Sequence, residues 1–304
     1  MARISTYGAS QAALTNLMRA QNTLFDAQAA LTTGKKATDL KGVGHQAETL
    51  LAARSALARS EAYEEAGVRV EARLEAQNIA LERLAGAATD LRQTVTSTDG
   101  TFIMDQVNDA FYQAYNALTA QHAGSFVFGG TRADVNPMTV NSLAGLQTLP
   151  TAADAFQNND RRPQVQLDQN IQVDVGMLAD TVGTELMQSF KRIADFNAGV
   201  NGPISQPMTD VQEAFIRTEL PLIITAMENL NATVGQNGSD QGRVETMLKS
   251  HSDRQVFLSE MLGDLEDVDM AVAATNFQQA QTAIEVSART FSSLSQVSLL
   301  PFLR

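Results

Sequence analysis

LTNLMRAQNTLFDAQAALTTG, residues 14–34, is the stretch from which this chain is best read. Leu17, Leu24 and Leu31 recur seven residues apart, with Met18 and Phe25 flanking them, which is the spacing of an apolar stripe on one face of an α-helix. Thr32-Thr33-Gly34 predicts where that helix stops, because glycine enters the left-handed conformation without a Cβ penalty. Charge is scarce here: residues 1–34 contain only Arg3, Arg19 and Asp26.

The far end of the chain repeats the signature. Met270, Phe277, Ile284 and Phe291 lie seven apart, with Leu294 three residues further on, and residues 268–304 carry only Asp269, Glu285, Arg289 and Arg304. Chain ends are normally solvated, so two apolar, nearly uncharged helical ends call for a cover. Pairing with each other as a coiled coil covers one face of each. The remaining faces hold Gln11, Asn16, Gln21, Gln28, Gln278, Gln279, Gln281 and Gln296, which can hydrogen-bond across a repeated contact without stranding a charge. Leu17, Leu24, Leu31, Met270, Phe277, Ile284, Phe291 and Leu294 are therefore the candidate self-assembly seam, and the expected partner is another copy of the chain. A membrane-surface helix would carry Lys or Arg along its polar face, which these segments lack.

Between the ends, a long helix is expected over about 45–97, with Leu74, Leu81, Ala88 and Val95 in one heptad row and Leu84 and Leu91 in its partner row. Gly67 and Gly86 should weaken it, and the Arg and Glu residues from Arg54 to Arg92 mark its solvent side. A turn at Asp99-Gly100 leads to a helix over 105–121 built on Val107, Phe111, Ala114 and Leu118. The helical period stops at Gly124. Val165, Leu167, Ile171, Val173 and Val175 alternate with polar residues around Asp168-Gln169-Asn170, which predicts a β-hairpin with a three-residue connection. Helices are expected again over 182–197 and from Asp210, as N-cap, to Val234, with Pro221 as a kink or new start. A loop over 235–242 and a last helical run over 243–298 complete the reading.

The fold class is thus mainly α: an elongated helical coiled-coil rod made by the N- and C-terminal segments, with a smaller inserted β-containing domain. The boundaries expected are an N-terminal rod segment 1–123 with its terminal helix 1–34, an insert 124–206, and a C-terminal rod segment 207–304 whose terminal helix covers about 268–304. A helix of about 50 residues is on the order of 75 Å long, too long for a compact sphere.

Composition excludes several function classes. Without cysteine there is no disulfide framework, thiolate zinc site or cysteine nucleophile. A net charge of -12 without a dense Lys/Arg cluster argues against nucleic acid and anionic membranes as partners. No apolar run reaches bilayer length, so membrane insertion is not expected, and residues 4–11 lack the apolar core of a cleaved secretory signal. His45, His122 and His251 never take the i, i+4 spacing of a metal-binding helix and read as solvated or partly buried. Gly42-Val43-Gly44 and Gly129-Gly130 lack the rest of a phosphate loop. Glu266, Asp267 and Asp269 lack a calcium loop and suit helix capping. Neither catalytic residues nor a cofactor are expected.

At both ends the chain resembles the flagellin family. Leu31-Thr32-Thr33-Gly34-Lys35-Lys36, followed by Asp39, is similar to the turn after that family's first helix. Leu265-Glu266-Asp267-Val268-Asp269-Met270-Ala271 is similar to the acidic lead-in to its last helix, and Ser298-Leu299-Leu300 with Phe302-Leu303 to its closing signature. Phe126-Val127-Phe128-Gly129-Gly130-Thr131 resembles an aromatic-Gly-Gly motif of the family's hook-associated branch, which flagellins as a rule lack. The hairpin and Gly242-Arg243-Val244-Glu245 resemble the same branch, whereas Asn158-Asn159-Asp160 replaces its Tyr-x-Gly-Asp element. The resemblance implies a structural subunit and not an enzyme. It implies export without a cleaved signal peptide through the flagellar type III apparatus, with an export chaperone, to an extracellular place in the flagellum. It further implies a ring at the distal hook on the first hook-associated protein, with flagellin polymerising on its outer face, the terminal helices in an inner tube and the insert outward. A filament subunit and a cytoplasmic helical adaptor or chaperone are the alternative readings.

Overall fold

The computed structural model describes residues 2–37, 44–97, 102–205 and 207–299. Asp39, Lys41 to Val43, Asp99-Gly100, and the closing Leu300, Phe302 and Leu303 lie outside the described residues. The fold is mainly α with two small antiparallel two-stranded sheets. In chain order come α1 (Ala2–Thr33), α2 (Ala47–Thr96), α3 (Ile103–Leu118), β1 (Gln121–His122), β2 (Ser125–Phe126), α4 (Leu143–Thr148), β3 (Gln164–Asp168), β4 (Ile171–Asp174), α5 (Ala179–Ala198), α6 (Asp210–Glu266) and α7 (Met270–Leu299). The chain divides into two compact units, one formed by Met1–Arg59 with Asp253–Arg304 and the other by Ser60–Ser252.

In the first unit α1 and α7 pack against each other. Gly34, at φ 69°, ends α1, as a residue without Cβ allows. The run expected over 243–298 is two helices, because α6 ends at Glu266 and α7 begins at Met270. Asp269 starts α7: its carboxylate accepts from the Ala271 N–H at 2.8 Å and the Val272 N–H at 3.3 Å. Those are donors the first helical turn leaves without an intrahelical partner.

The second unit has one large core. Leu81, Leu84, Ala88, Leu91 and Val95 of α2 meet Val107, Phe111, Ala114 and Leu118 of α3, and Leu186, Phe190 and Ile193 of α5 join them. Phe111 and Phe190 meet edge to face, with ring centroids 5.6 Å apart. The heptad rows of α2 are thus buried as their spacing requires, and most of its Arg and Glu residues are exposed, whereas Glu64, Arg73 and Arg92 are half-buried. Residues between Val127 and Ile204 share this core with α2, α3 and α6. An ion pair closes it, the Arg192 Nε donating to both oxygens of the buried Glu219 carboxylate at 2.7 and 2.9 Å.

The β3–β4 hairpin forms where the alternation puts it, with a two-residue turn at Gln169-Asn170. Asp168 pairs with Ile171, and a bulge between Gln166 and Asp168 takes up the odd residue. Its inner side chains Leu167, Val173 and Val175 pack on Val70 and Leu74 of α2 and Val244 of α6. His251 pins it there. Contrary to the expectation of a solvated or partly buried ring, this histidine is buried: its Nε2–H donates to the Leu167 carbonyl at 2.7 Å and its Nδ1 faces the Ser60 hydroxyl at 3.3 Å.

Three further expectations are corrected. Thr209, not Asp210, caps α6, because the Gln212 N–H donates to its hydroxyl while the Gln212 side chain accepts from the Thr209 N–H. The segment 235–242 is helical and not a loop, since tertiary contacts override its glycines: buried Asn237 donates to the Leu74 carbonyl at 3.1 Å and Gln241 to Glu75 at 3.1 Å. Gly67 is a packing position, because a Cβ there would stand 2.6 Å from Leu248 Cδ2.

Candidate self-assembly surface

The surface begins with a pattern of side-chain size. Along α1, Ala13, Leu17, Ala20, Leu24, Ala27 and Leu31 step by four and three residues and are buried or half-buried; along α7, Ala273, Phe277, Ala280, Ile284, Ser287, Phe291 and Leu294 do the same. Small and large residues alternate along α1 and along α7 as far as Phe291, so the backbones can approach closely while the large side chains fill the seam. Of the eight expected seam residues, seven lie on this stripe. Met270 does not: it is 52 % exposed, because it stands at the very start of α7, three residues before Ala273, the first buried residue of the stripe.

Gly34-Lys35-Lys36 and Glu266-Asp267-Val268 run side by side at the base of the pair. The Lys36 N–H donates to the Glu266 carbonyl at 2.6 Å, and the Val268 N–H to the Gly34 carbonyl at 2.9 Å. Lys35 and Asp267 form an antiparallel bridge, which makes α1 and α7 antiparallel, since the end of one meets the start of the other. Side chains reinforce the clasp. Lys35 Nζ lies 2.6 Å from Asp267 and 3.3 Å from Glu266, while Arg54 Nε donates to Glu266 at 2.8 Å. The hydrogen bond from Arg54, with that from Lys35, holds the Glu266 carboxyl below its ordinary 4.5. The bond to Asp267, with the one to Glu266, holds the Lys35 ammonium above its ordinary 10.5. The two family-like segments at opposite ends of the sequence thus form one structural feature. Sequence reasoning missed Arg54 as the partner of Glu266, and the only signal for it was an exposed cation near the start of α2.

Pairing leaves both outer faces of the α1–α7 layer open. On one face a shallow groove is lined by the residues that precede seam positions, among them Thr23, Asp26 and Ala30 of α1 and Asn276, Gln279 and Ala283 of α7. The residues that follow the α1 seam positions include Leu14, Met18 and Phe25, the last two 58 % and 66 % exposed. Met18 and Phe25 therefore leave the face of Leu17 and Leu24 rather than sharing it. Three large apolar side chains in a row on one helix are the mark of a contact surface.

The aromatic-Gly-Gly motif belongs to the second unit. Phe128 is buried, Phe126 is half-buried, and the Phe128 carbonyl accepts from the Ala179 N–H at 3.0 Å. Gly129 and Gly130 form a tight turn: a Cβ on Gly129 would sit 2.9 Å from the Arg132 carbonyl oxygen, and one on Gly130, at φ 65°, would sit 2.8 Å from that of Arg161. Asn159 bonds Thr131 across this turn, and Asn158 exchanges hydrogen bonds with Asp180 at the start of α5. The motif docks a loop onto a helix. Among the described residues no group of three His, Cys, Asp or Glu could hold a metal ion, and no helix is long and apolar enough to cross a membrane.

The α1–α7 layer is thus clasped at its base and keeps open apolar faces. Residues 220–303 match the family described as bacterial flagellin C-terminal helical region. The fold is also that of a putative flagellar hook-associated protein from Vibrio parahaemolyticus, with a TM-score of 0.59, 16% identity, and 73% of this chain and 97% of that one covered. FlgL of Bacillus cereus shares it too, with a TM-score of 0.56, 14% identity, and 70% and 99% of the two chains covered. No curated protein matches the chain in sequence.

Proposed function

We propose that the protein is a structural subunit of the bacterial flagellum that joins the hook to the flagellin filament by self-assembly of its terminal helices. One observation carries the reading: α1 and α7 are nearly uncharged, are held together by the clasp, and still expose Leu14, Met18 and Phe25. Such a layer is completed by neighbouring copies. The flagellin-type region over 220–303 and the fold shared with two proteins named for the flagellar hook or as FlgL support the flagellum as its setting. The turn at Phe126 to Thr131, packed on α5, supports the hook-associated position over a filament subunit. In this reading the chain leaves the cell by the flagellar export route with a chaperone, sits on the first hook-associated protein, and presents an outer surface on which flagellin polymerises. The seam residues are Leu17, Leu24, Leu31, Phe277, Ile284, Phe291 and Leu294, and the segment 124–206 faces outward.

Immunogold labelling of intact flagella tests this. Label confined to a short band where hook meets filament, with flagellin shed as monomer when the chain is deleted, is the expected result. Label along the whole filament, or only inside the cell, overturns it.

A further inference from the structure

We infer that α1 of one copy docks on α7 of the next with Arg19 against Glu285, in a head-to-tail contact. The inference rests on the self-assembly reading and names the face and register it uses.

In two antiparallel helices the side chains turn in opposite senses when viewed from one end, so residues just before a seam position on both helices share a face. The groove lining shows this, with Thr23, Asp26 and Ala30 on α1 beside Asn276, Gln279 and Ala283 on α7. Arg19 precedes seam residue Ala20 and so lies on the groove face. Glu285 follows seam residue Ile284 and so lies on the opposite face. Each is about 100° round its helix from the adjacent seam residue, about 130° from the middle of the seam stripe, and therefore lies between an outer face and an outer edge of the pair. Both are exposed, and neither enters an ion pair among the described residues.

Their heights match. From the Lys35–Asp267 bridge, Arg19 lies 16 residues back along α1 and Glu285 lies 18 residues forward along α7, about 24 and 27 Å at the helical rise. One heptad nearer the base, Asp26 and Gln278 lie at about 14 and 17 Å, with the same small offset. A second copy, set beside the first at nearly the same level, brings Arg19 to Glu285 and the Asp26 carboxylate to the Gln278 amide at once. Opposite charges on opposite edges cannot meet in a two-fold contact of like faces. They meet when copies follow one another in one direction, the arrangement that closes into a ring or winds into a helix. In an otherwise nearly neutral layer, one such pair fixes register and direction.

Charge reversal on the full-length protein tests it, with assembly followed by sedimentation and electron microscopy. Arg19→Glu and Glu285→Arg should each raise the concentration needed for assembly by roughly tenfold or more, and the double variant should return it to within about twofold of the parent. Circular dichroism should show all three folded, since both side chains are exposed. Single variants that assemble normally, or a double variant no better than the singles, overturn this register while leaving self-assembly intact. A parent chain that stays monomeric at every concentration overturns the function reading and this contact with it.

Discussion

Lys35 and Asp267, separated by most of the sequence, form a backbone bridge and a 2.6 Å ion pair at the base of the α1–α7 layer. Glu266 beside them accepts from Arg54 and faces Lys35, so the clasp has an acid limb and an alkaline limb. Glu266 has a lowered value in the folded chain; its contribution is complete above the ordinary 4.5 and is lost as pH falls through the lowered value. Lys35 has a raised value; its contribution is complete below the ordinary 10.5 and is lost as pH rises through the raised value. Limited proteolysis of α1 should therefore be slow between these limits and accelerate on either side. Glu266→Gln should flatten the acid limb and leave the alkaline one, which a pH series of cleavage rates checks.

Ile284→Asp should place a charge in the seam opposite α1 and separate the two helices. Cleavage within α1 and α7 should then speed up by on the order of tenfold, while the second unit keeps its melting transition. Unchanged cleavage would mean that Ile284 is not a seam residue.

His251→Ala should cost about 2–4 kcal/mol by denaturant titration, because it opens a cavity and leaves the buried Leu167 carbonyl without its donor. Hydrogen exchange should show the loss concentrated in residues 164–174. An equal loss of protection throughout the second unit would mean the ring does not specifically hold the hairpin.

Gly235→Ala, Gly238→Ala and Gly242→Ala should each stabilise α6 by about 0.5–1 kcal/mol, since all three are exposed and nothing lies within 4 Å of an added Cβ. Gly183→Ala should instead destabilise by about 1–3 kcal/mol, because its Cβ would stand 2.9 Å from Leu118 and 3.0 Å from Phe156. Thermal melting of the four variants checks both signs.

These positions also show what the sequence discloses and what it hides. The heptad rows of α1, α2 and α7 and the alternation of the hairpin were legible, because burial on one face imposes a period that a single chain segment displays. The segment 235–242 was misread because glycine density is a local signal, whereas Asn237 and Gln241 find partners on α2 that local reasoning cannot see. The break at Asp267-Val268-Asp269 was hidden from the helical period, though not from the family resemblance: it has no glycine or proline, and it exists because Gly34 and Lys36 supply the missing backbone partners. Within the α1–α7 layer seven of the eight residues expected at a seam fall on one buried or half-buried stripe, whereas Met270 shares the period without sharing the burial. The clasp was not, since its members are drawn from three separate parts of the sequence.

In the proposed assembly the open faces of α1 are covered by neighbouring copies. The chain has no cysteine, so Phe25→Cys carries a single reporter thiol on the most exposed large apolar position of α1 among the described side chains. Its rate of modification by a soluble maleimide should be fast in dilute monomer and fall by roughly tenfold or more in assembled material, where burial excludes the reagent. Equal rates in the two states would contradict the account.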